Sequence, residues 1–241
     1  MAVYQDRAKE RIKKKINKFT ELAARSSEQK VSEADTRQVI VRILDDMFGW
    51  DEFNNLTGEQ MIRGKFADFV LKNKAGDLAV IEAKQASVRL KEIHAKQACD
   101  YAINMGLEWV ILTNSLEWIV YRIEFKKGSA PEIDQVFSVK LTDEKMKKAD
   151  KVELLYLLTE EASRKDELAE YADRCHALSA DQLVAHIMTK EVLDKVRLAI
   201  KRKSGHNIDN YEVACALAEN VFANDCTPEN LDGMLRKIKN A

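Results

Sequence analysis

Three charged residues sit where the surrounding sequence predicts buried strand. In ADFVLKNKAGDLAVIEAK, residues 67–84, Asp68 lies inside one apolar run, and a second run ends in Glu82, Ala83 and Lys84. Side chains alternate across a strand, so Glu82 and Lys84 share one face while Ile81 and Ala83 take the other. The intervening NKAGD has the composition of a hairpin turn, and pairing of the two runs can present Asp68 on the face of Glu82. Two partly buried carboxylates repel each other, and each costs roughly several kcal/mol without compensation. A hard divalent cation such as Mg²⁺ removes both penalties. Lys84 can then orient or deprotonate a water, or neutralise charge on a phosphate. These groups are the equipment of metal-assisted phosphodiester hydrolysis. A surface hairpin with a Glu82–Lys84 salt bridge satisfies the same short pattern, and D…E-x-K spacing alone does not separate the two.

The flanking elements decide what else can reach that strand end. Ser32, with Asp35 three residues on, opens a helix through EADTRQVIVRILDDMF to Gly49. Within it Glu33, Arg37, Ile40, Leu44 and Met47 fall in one narrow sector, so Glu33 points along the core-facing side and Asp35 away. The helix dipole favours an acid in the first turn but does not explain that inward direction. After Lys84 a helix is expected from about 88 to 105, ended by Gly106, with His94, Gln97, Tyr101 and Asn104 as a polar stripe. Such a stripe is either simply exposed or a source of groups for the site or for a ligand. The runs EWVILT (108–113) and EWIVYRIEF (117–125) read as strands joined at Asn114-Ser115, with further short strands near 59–62 and 135–140. Thr113-Asn114 ends a strand in a polar turn, which ordinary hairpin chemistry also explains. Helix, strands, helix, strands is an α/β arrangement with a mixed sheet.

Around this core the chain is helical. Residues 7–18 carry Arg7, Lys9, Arg11, Lys13, Lys14, Lys15 and Lys18 against Glu10, while Ile12, Ile16, Phe19 and Ala23 form a stripe. That is a basic amphipathic helix, followed by a polar joint, SSEQKVS, at 26–32. Beyond about 143 the pattern is helical, with capping signals at Ser179 and at Thr227-Pro228, interrupted by KSGHNID at 203–209. The expected division is an N-terminal helix (1–31), an α/β domain (32–142) and an all-α segment (143–241), either a small domain or an extension packed on the first. A second basic run, KVRLAIKRK, lies at 195–203. Both runs can contact phosphates, although most such runs are solvated faces.

Composition narrows the function classes. The 241 residues are 46% hydrophobic and 33% charged with a net charge of -1, so there is no global pull toward nucleic acid. No apolar run approaches the ~18 residues of a membrane span, and no apolar segment marks the start, so a cytoplasmic protein is expected. Cys99, Cys175, Cys215 and Cys226 have no C-x-x-C spacing and read as reduced, mostly buried thiols. His94, His176, His186 and His206 lack metal-ligand spacing. Cys99 has no histidine placed to activate it. Trp109, Trp118 and Tyr121 alternate as core residues do. GEQMIRGKF at 58–66 has one residue too many between its glycines for a P-loop, and Phe66 where a hydroxyl is required. The sequence therefore has no ATP site.

Taken together, SEADTRQVIVRILDDMFGWD, GKFADFVLKNKAGDLAVIEAKQ, HAKQACDYA and GLEWVILTNSLEWIVY resemble the N-terminal nuclease domain of type I restriction enzyme R subunits and their stand-alone relatives, in the PD-(D/E)XK superfamily. The resemblance covers about residues 32–125, roughly two-fifths of the chain. It implies a restriction-endonuclease-like core, a mixed sheet flanked by helices, and Mg²⁺-dependent DNA cleavage, with Mn²⁺ as a substitute. By that resemblance Asp68, Glu82 and Glu33 are the acids that hold the metal, Lys84 is the lysine of E-x-K, and Gln97 and Tyr101 match Q-x-x-x-Y of RecB-like nucleases. The Ala83 carbonyl is also implied to face the metal. Gln97, Tyr101 and Arg37 are expected to steady the site or contact DNA. Ala67 stands where the superfamily's name has proline, which weakens the short pattern. R subunits continue into a translocating ATPase, so a motor would have to come from another protein. Expected partners are DNA, a separate helicase or modification subunit, and a second copy of the chain if both strands are cut in one encounter. The alternative is a catalytically idle DNA-binding or scaffolding module; an RNA nuclease would share the same site chemistry.

Overall fold

A computed structural model describes residues 3–62, 65–222, 236 and 238. The elements are α1 (Val3–Glu28), α2 (Glu33–Asp46), α3 (Glu52–Asn55), β1 (Leu56–Ile62), β2 (Lys65–Asn73), β3 (Gly76–Ala83), α4 (Glu92–Met105), β4 (Trp109–Thr113), β5 (Glu117–Glu124), β6 (Glu132–Lys140), α5 (Lys148–Tyr156), α6 (Glu160–Ser163), α7 (Glu167–Ala177), α8 (Ala180–Ile187), α9 (Lys190–Ser204) and α10 (Asn210–Asn220). The six strands form one sheet in sequence order. Every neighbouring pair is antiparallel except β3 and β4, which are parallel and joined by α4. A parallel pair needs such a crossover, and this one makes the sheet mixed.

Strand alternation sorts the sheet into two cores. Phe69, Leu71, Ile81, Ala83, Ile111, Trp118 and Val120 pack with Ile12, Ile16 and Phe19 of α1 and Ile40, Ile43 and Leu44 of α2. The opposite parity, Val70, Val80, Val110, Leu112 and Ile119, packs with Ala95, Ala98, Cys99, Tyr101 and Ala102 of α4. Glu82 and Lys84 share the parity of Val80, so their side chains are on the α4 face while Ile81 and Ala83 take the other. Trp109, Trp118 and Tyr121 are all buried.

The chain divides into two compact units, 1–172 and 173–241. This boundary lies beyond the expected 142/143, because Val152, Leu155, Tyr156 and Ala162 bury in the same core as the sheet. Nor is the N-terminal helix a separate body. Arg11 of α1 donates to both carboxylate oxygens of Glu161, at 2.6 and 2.8 Å, and its Nε donates to the Met47 carbonyl. Gly49 has φ +79°, a left-handed conformation that disfavours a side chain, and a Cβ there would lie 2.8 Å from Arg11 Nη2. The second unit has its own small core of Val184, Met188, Leu193, Val213 and Ala214.

Several local expectations shift. α1 runs to Glu28, through the expected joint, with the Ser26 hydroxyl donating back to the Leu22 carbonyl. α4 begins at Glu92, since residues 85–91 are held as a loop by a Val88 N–H bond to the Gln85 carbonyl and an Asn114 amide bond to the Val88 carbonyl. Of the described cysteines only Cys99 is buried; Cys175 is exposed and Cys215 half-buried. The burial pushes the Cys99 thiol up to about 11, with Asp100 adding to the shift, which leaves it an inert thiol at neutral pH. Cys226 and the cap at Thr227-Pro228 lie outside the described residues. No helix among the described residues is long and apolar enough to cross a membrane.

Candidate functional site

The β2–β3 hairpin brings the two acids together. Asn73 pairs with Gly76 at the turn and Phe69 with Ile81 at the other end, so Asp68 and Glu82 are the next residues along the ladder. Asp68 Oδ2 accepts the Ala83 backbone N–H at 2.8 Å, which fixes the carboxylate against the end of β3. On the other side of β3, Glu82 pairs with Leu112 and Ala83 with Thr113 of β4. The Lys84 N–H continues this ladder by donating to the Thr113 carbonyl at 2.8 Å. The E-x-K segment is therefore clamped between two strands.

The N-terminus of α2 is tied to the same place. Gln85 donates to the carbonyls of Lys30 and Val31, and the Ala86 N–H donates to Thr36 Oγ1. Ser32 caps the helix by accepting the Asp35 N–H, as its sequence indicates. Glu33 and Arg37, one turn apart, are half-buried and Asp35 is exposed, matching the inward sector expected for Glu33. Arg37 Nη1 donates to Asp68 Oδ1 at 2.7 Å.

Lys84 Nζ donates to Glu82 Oε1 at 2.5 Å, with the two side chains 19% and 4% exposed, so this pair is far from the solvated salt bridge of a surface hairpin. Burial pushes the Glu82 carboxyl above its ordinary range; Lys84 opposes the shift, and the negative charges of Asp68 and Glu33 reinforce it. Burial pulls the Lys84 ammonium down, but the Glu82 hydrogen bond and the charges of Glu82, Glu33 and Asp68 outweigh it and hold it above its ordinary value. Both directions describe one cluster with more negative than positive charge around Glu82. His94, half-buried on α4, lies near enough for Lys84 to help burial hold its imidazole below the usual range. Its Nδ1 accepts the Lys91 N–H at 3.3 Å, capping α4.

Of the two expected contributors from α4, one lies at the surface and the other in the core. Gln97 is exposed on α4. Tyr101 is 1% exposed within the α4 core, and its hydroxyl has no hydrogen-bond partner among the described residues. Burial raises its pKa, helped by Asp77 at the beginning of β3, the opposite end from Glu82. Thr113 and Asn114 are consumed by the β4–β5 hairpin: Thr113 Oγ1 donates to the Glu117 carbonyl, and Asn114 Oδ1 accepts the N–H groups of Leu116 and Glu117. Ser115, with φ +71°, completes that turn. The sequence stripe that included His94 did not single it out as a neighbour of Lys84; its spacing of ten residues from Lys84 across a loop carries no such signal.

No group of three or more His, Cys, Asp or Glu side chains able to hold a metal occurs among the described residues. Mg²⁺, however, is commonly held by one or two carboxylates, with water and substrate phosphate completing its shell. Asp68 and Glu82 supply that hard-oxygen pair; burial raises the Glu82 carboxyl, the charge of Asp68 adds to it, and a cation would offset both. The residues present fit the ion.

The fold is thus α/β with a mixed sheet, compatible with a nuclease-like architecture, and its acidic, lysine-bearing strand end sits at the edge of a parallel pair. Residues 32–136 match the family described as type I restriction enzyme R protein N terminus. No curated protein and no solved structure matches the chain.

Proposed function

We propose that the first unit is a Mg²⁺-dependent DNA nuclease of the PD-(D/E)XK type. The observation that carries this reading is the convergence of Asp68, Glu82 and Lys84 at one strand end, with Asp68 hydrogen-bonded to the Ala83 N–H between the other two. Asp68 and Glu82 would hold the ion, and Glu33 would assist from the first turn of α2. The bound ion would supply charge stabilisation on the phosphate and a more acidic water. Lys84 would orient the attacking water and offset charge on the phosphate. DNA is the substrate favoured by the family match, and a helicase or modification subunit is the corresponding partner class.

A second reading has one observation in its favour. Arg37 and Lys84 already neutralise the two acids internally, as they would in a catalytically idle DNA-binding or scaffolding module. A thermal melt with and without Mg²⁺ at constant ionic strength separates the two, because an ion that binds the native state raises its melting temperature. The nuclease reading predicts a rise for wild type and none for Asp68→Asn. A flat response in both wild type and Arg37→Gln, which lacks the Asp68 counter-ion, would favour the idle module.

A further inference from the structure

Arg37 does not come from the hairpin that carries the acids. It reaches Asp68 from the second turn of α2, thirty-one residues away in sequence, and its Nη1 occupies Asp68 Oδ1 at 2.7 Å. Asp68 Oδ2 is occupied by the Ala83 N–H. Among the described residues each carboxylate oxygen has a donor, and the two donors differ. The amide belongs to the β3 backbone and is uncharged, so it orients the carboxylate without opposing a metal ion. The guanidinium is a full positive charge at the end of a long side chain still 28% exposed, whose rotamers can carry it off the Asp68 carboxylate. A divalent ion on Asp68 and a guanidinium on the same carboxylate repel each other.

We propose that Arg37 is a resident counter-ion of Asp68 that a divalent metal must displace, and that a DNA phosphate is the acceptor onto which the displaced guanidinium moves. This rests on the nuclease reading of Asp68. Guanidinium geometry suits the exchange, since its planar fork binds carboxylate and phosphate alike. Lys84 is different in kind: it sits two residues from Glu82 on the same chain segment, and its hydrogen bond is to that acid rather than to Asp68. The consequence is coupling. DNA that accepts Arg37 frees Asp68, so DNA strengthens metal binding, and by linkage metal strengthens DNA binding to the same degree.

The test is Mg²⁺ titration followed by melting temperature and by calorimetry, using the full chain as wild type, Arg37→Gln, Arg37→Lys and Asp68→Asn. The expected result is that Arg37→Gln binds Mg²⁺ about tenfold more tightly than wild type without DNA, with Arg37→Lys closer to wild type. In a Lys84→Ala background, where DNA stays intact, DNA should tighten Mg²⁺ binding, and Arg37→Gln should abolish that effect. If wild type binds Mg²⁺, Asp68→Asn does not, and Arg37→Gln binds no tighter, the counter-ion role is overturned while the metal site stands. If neither wild type nor Arg37→Gln responds to Mg²⁺, the nuclease reading fails and takes this inference with it. Binding by Arg37→Gln alone would support the counter-ion role in its strongest form.

Discussion

Helices α2 and α4 cover opposite faces of one sheet and carry polar side chains at similar helical spacing, yet they treat those side chains differently. α2 begins beside the end of β3, anchored there by Gln85 and Thr36, and its first two turns deliver Glu33 and Arg37 toward Asp68 and Glu82. α4 uses its polar stripe piecemeal: His94 caps the helix near Lys84, Gln97 faces solvent, and Tyr101 is buried toward Asp77. Polar spacing along a helix establishes which residues share a face. Where the helix begins relative to the strand ends establishes which of them reach the site.

That contrast yields graded expectations. The largest effect belongs to the strand acids: Asp68→Asn should reduce Mg²⁺-dependent cleavage by roughly 10²-fold or more, read as the rate on supercoiled DNA. Next, Glu33→Gln should cost about tenfold in cleavage and Gln97→Ala less than about threefold. The reverse order would overturn the contrast between the two helices. A third expectation concerns a helix whose charges serve the fold. Burial raises the Glu161 pKa, but the hydrogen bond and charge of Arg11 outweigh it and hold the carboxyl below its ordinary range. The stabilisation is therefore present above the ordinary carboxylate pKa and lost as pH falls through the lowered one. Arg11→Ala should cost about 1–2 kcal/mol in urea unfolding at neutral pH and flatten that acid-side dependence, with cleavage little changed. The smallest effect is expected at Tyr101, where Phe removes an unpartnered hydroxyl. Stability should stay within about 0.5 kcal/mol of wild type or rise, and cleavage should be unaltered. A large loss of cleavage in Tyr101→Phe would return α4 to the site.

Local pattern carried much of the architecture. Apolar alternation located β2, β3, β4 and β5, and the one-sector stripe of α2 correctly turned Glu33 and Arg37 inward. The strand-end acids were legible because a charge in an apolar strand needs a reason. What was not legible depends on contacts distant in sequence. The boundary after Ala172 follows from α5 and α6 burying beside α1, and no local signal announces that Glu161 meets Arg11. The Arg37–Asp68 pair joins a helix to a hairpin, and a motif match to Q-x-x-x-Y could not say that Tyr101 would face a core rather than the acids.

The most direct measurement is cleavage of supercoiled and linear DNA by the purified protein with Mg²⁺, with Mn²⁺ and with EDTA, alongside Lys84→Ala. Metal-dependent nicking or degradation that Lys84→Ala abolishes is the predicted result. Absence of cleavage by the wild type with DNA binding retained, or cleavage untouched by Lys84→Ala, would contradict the proposed site.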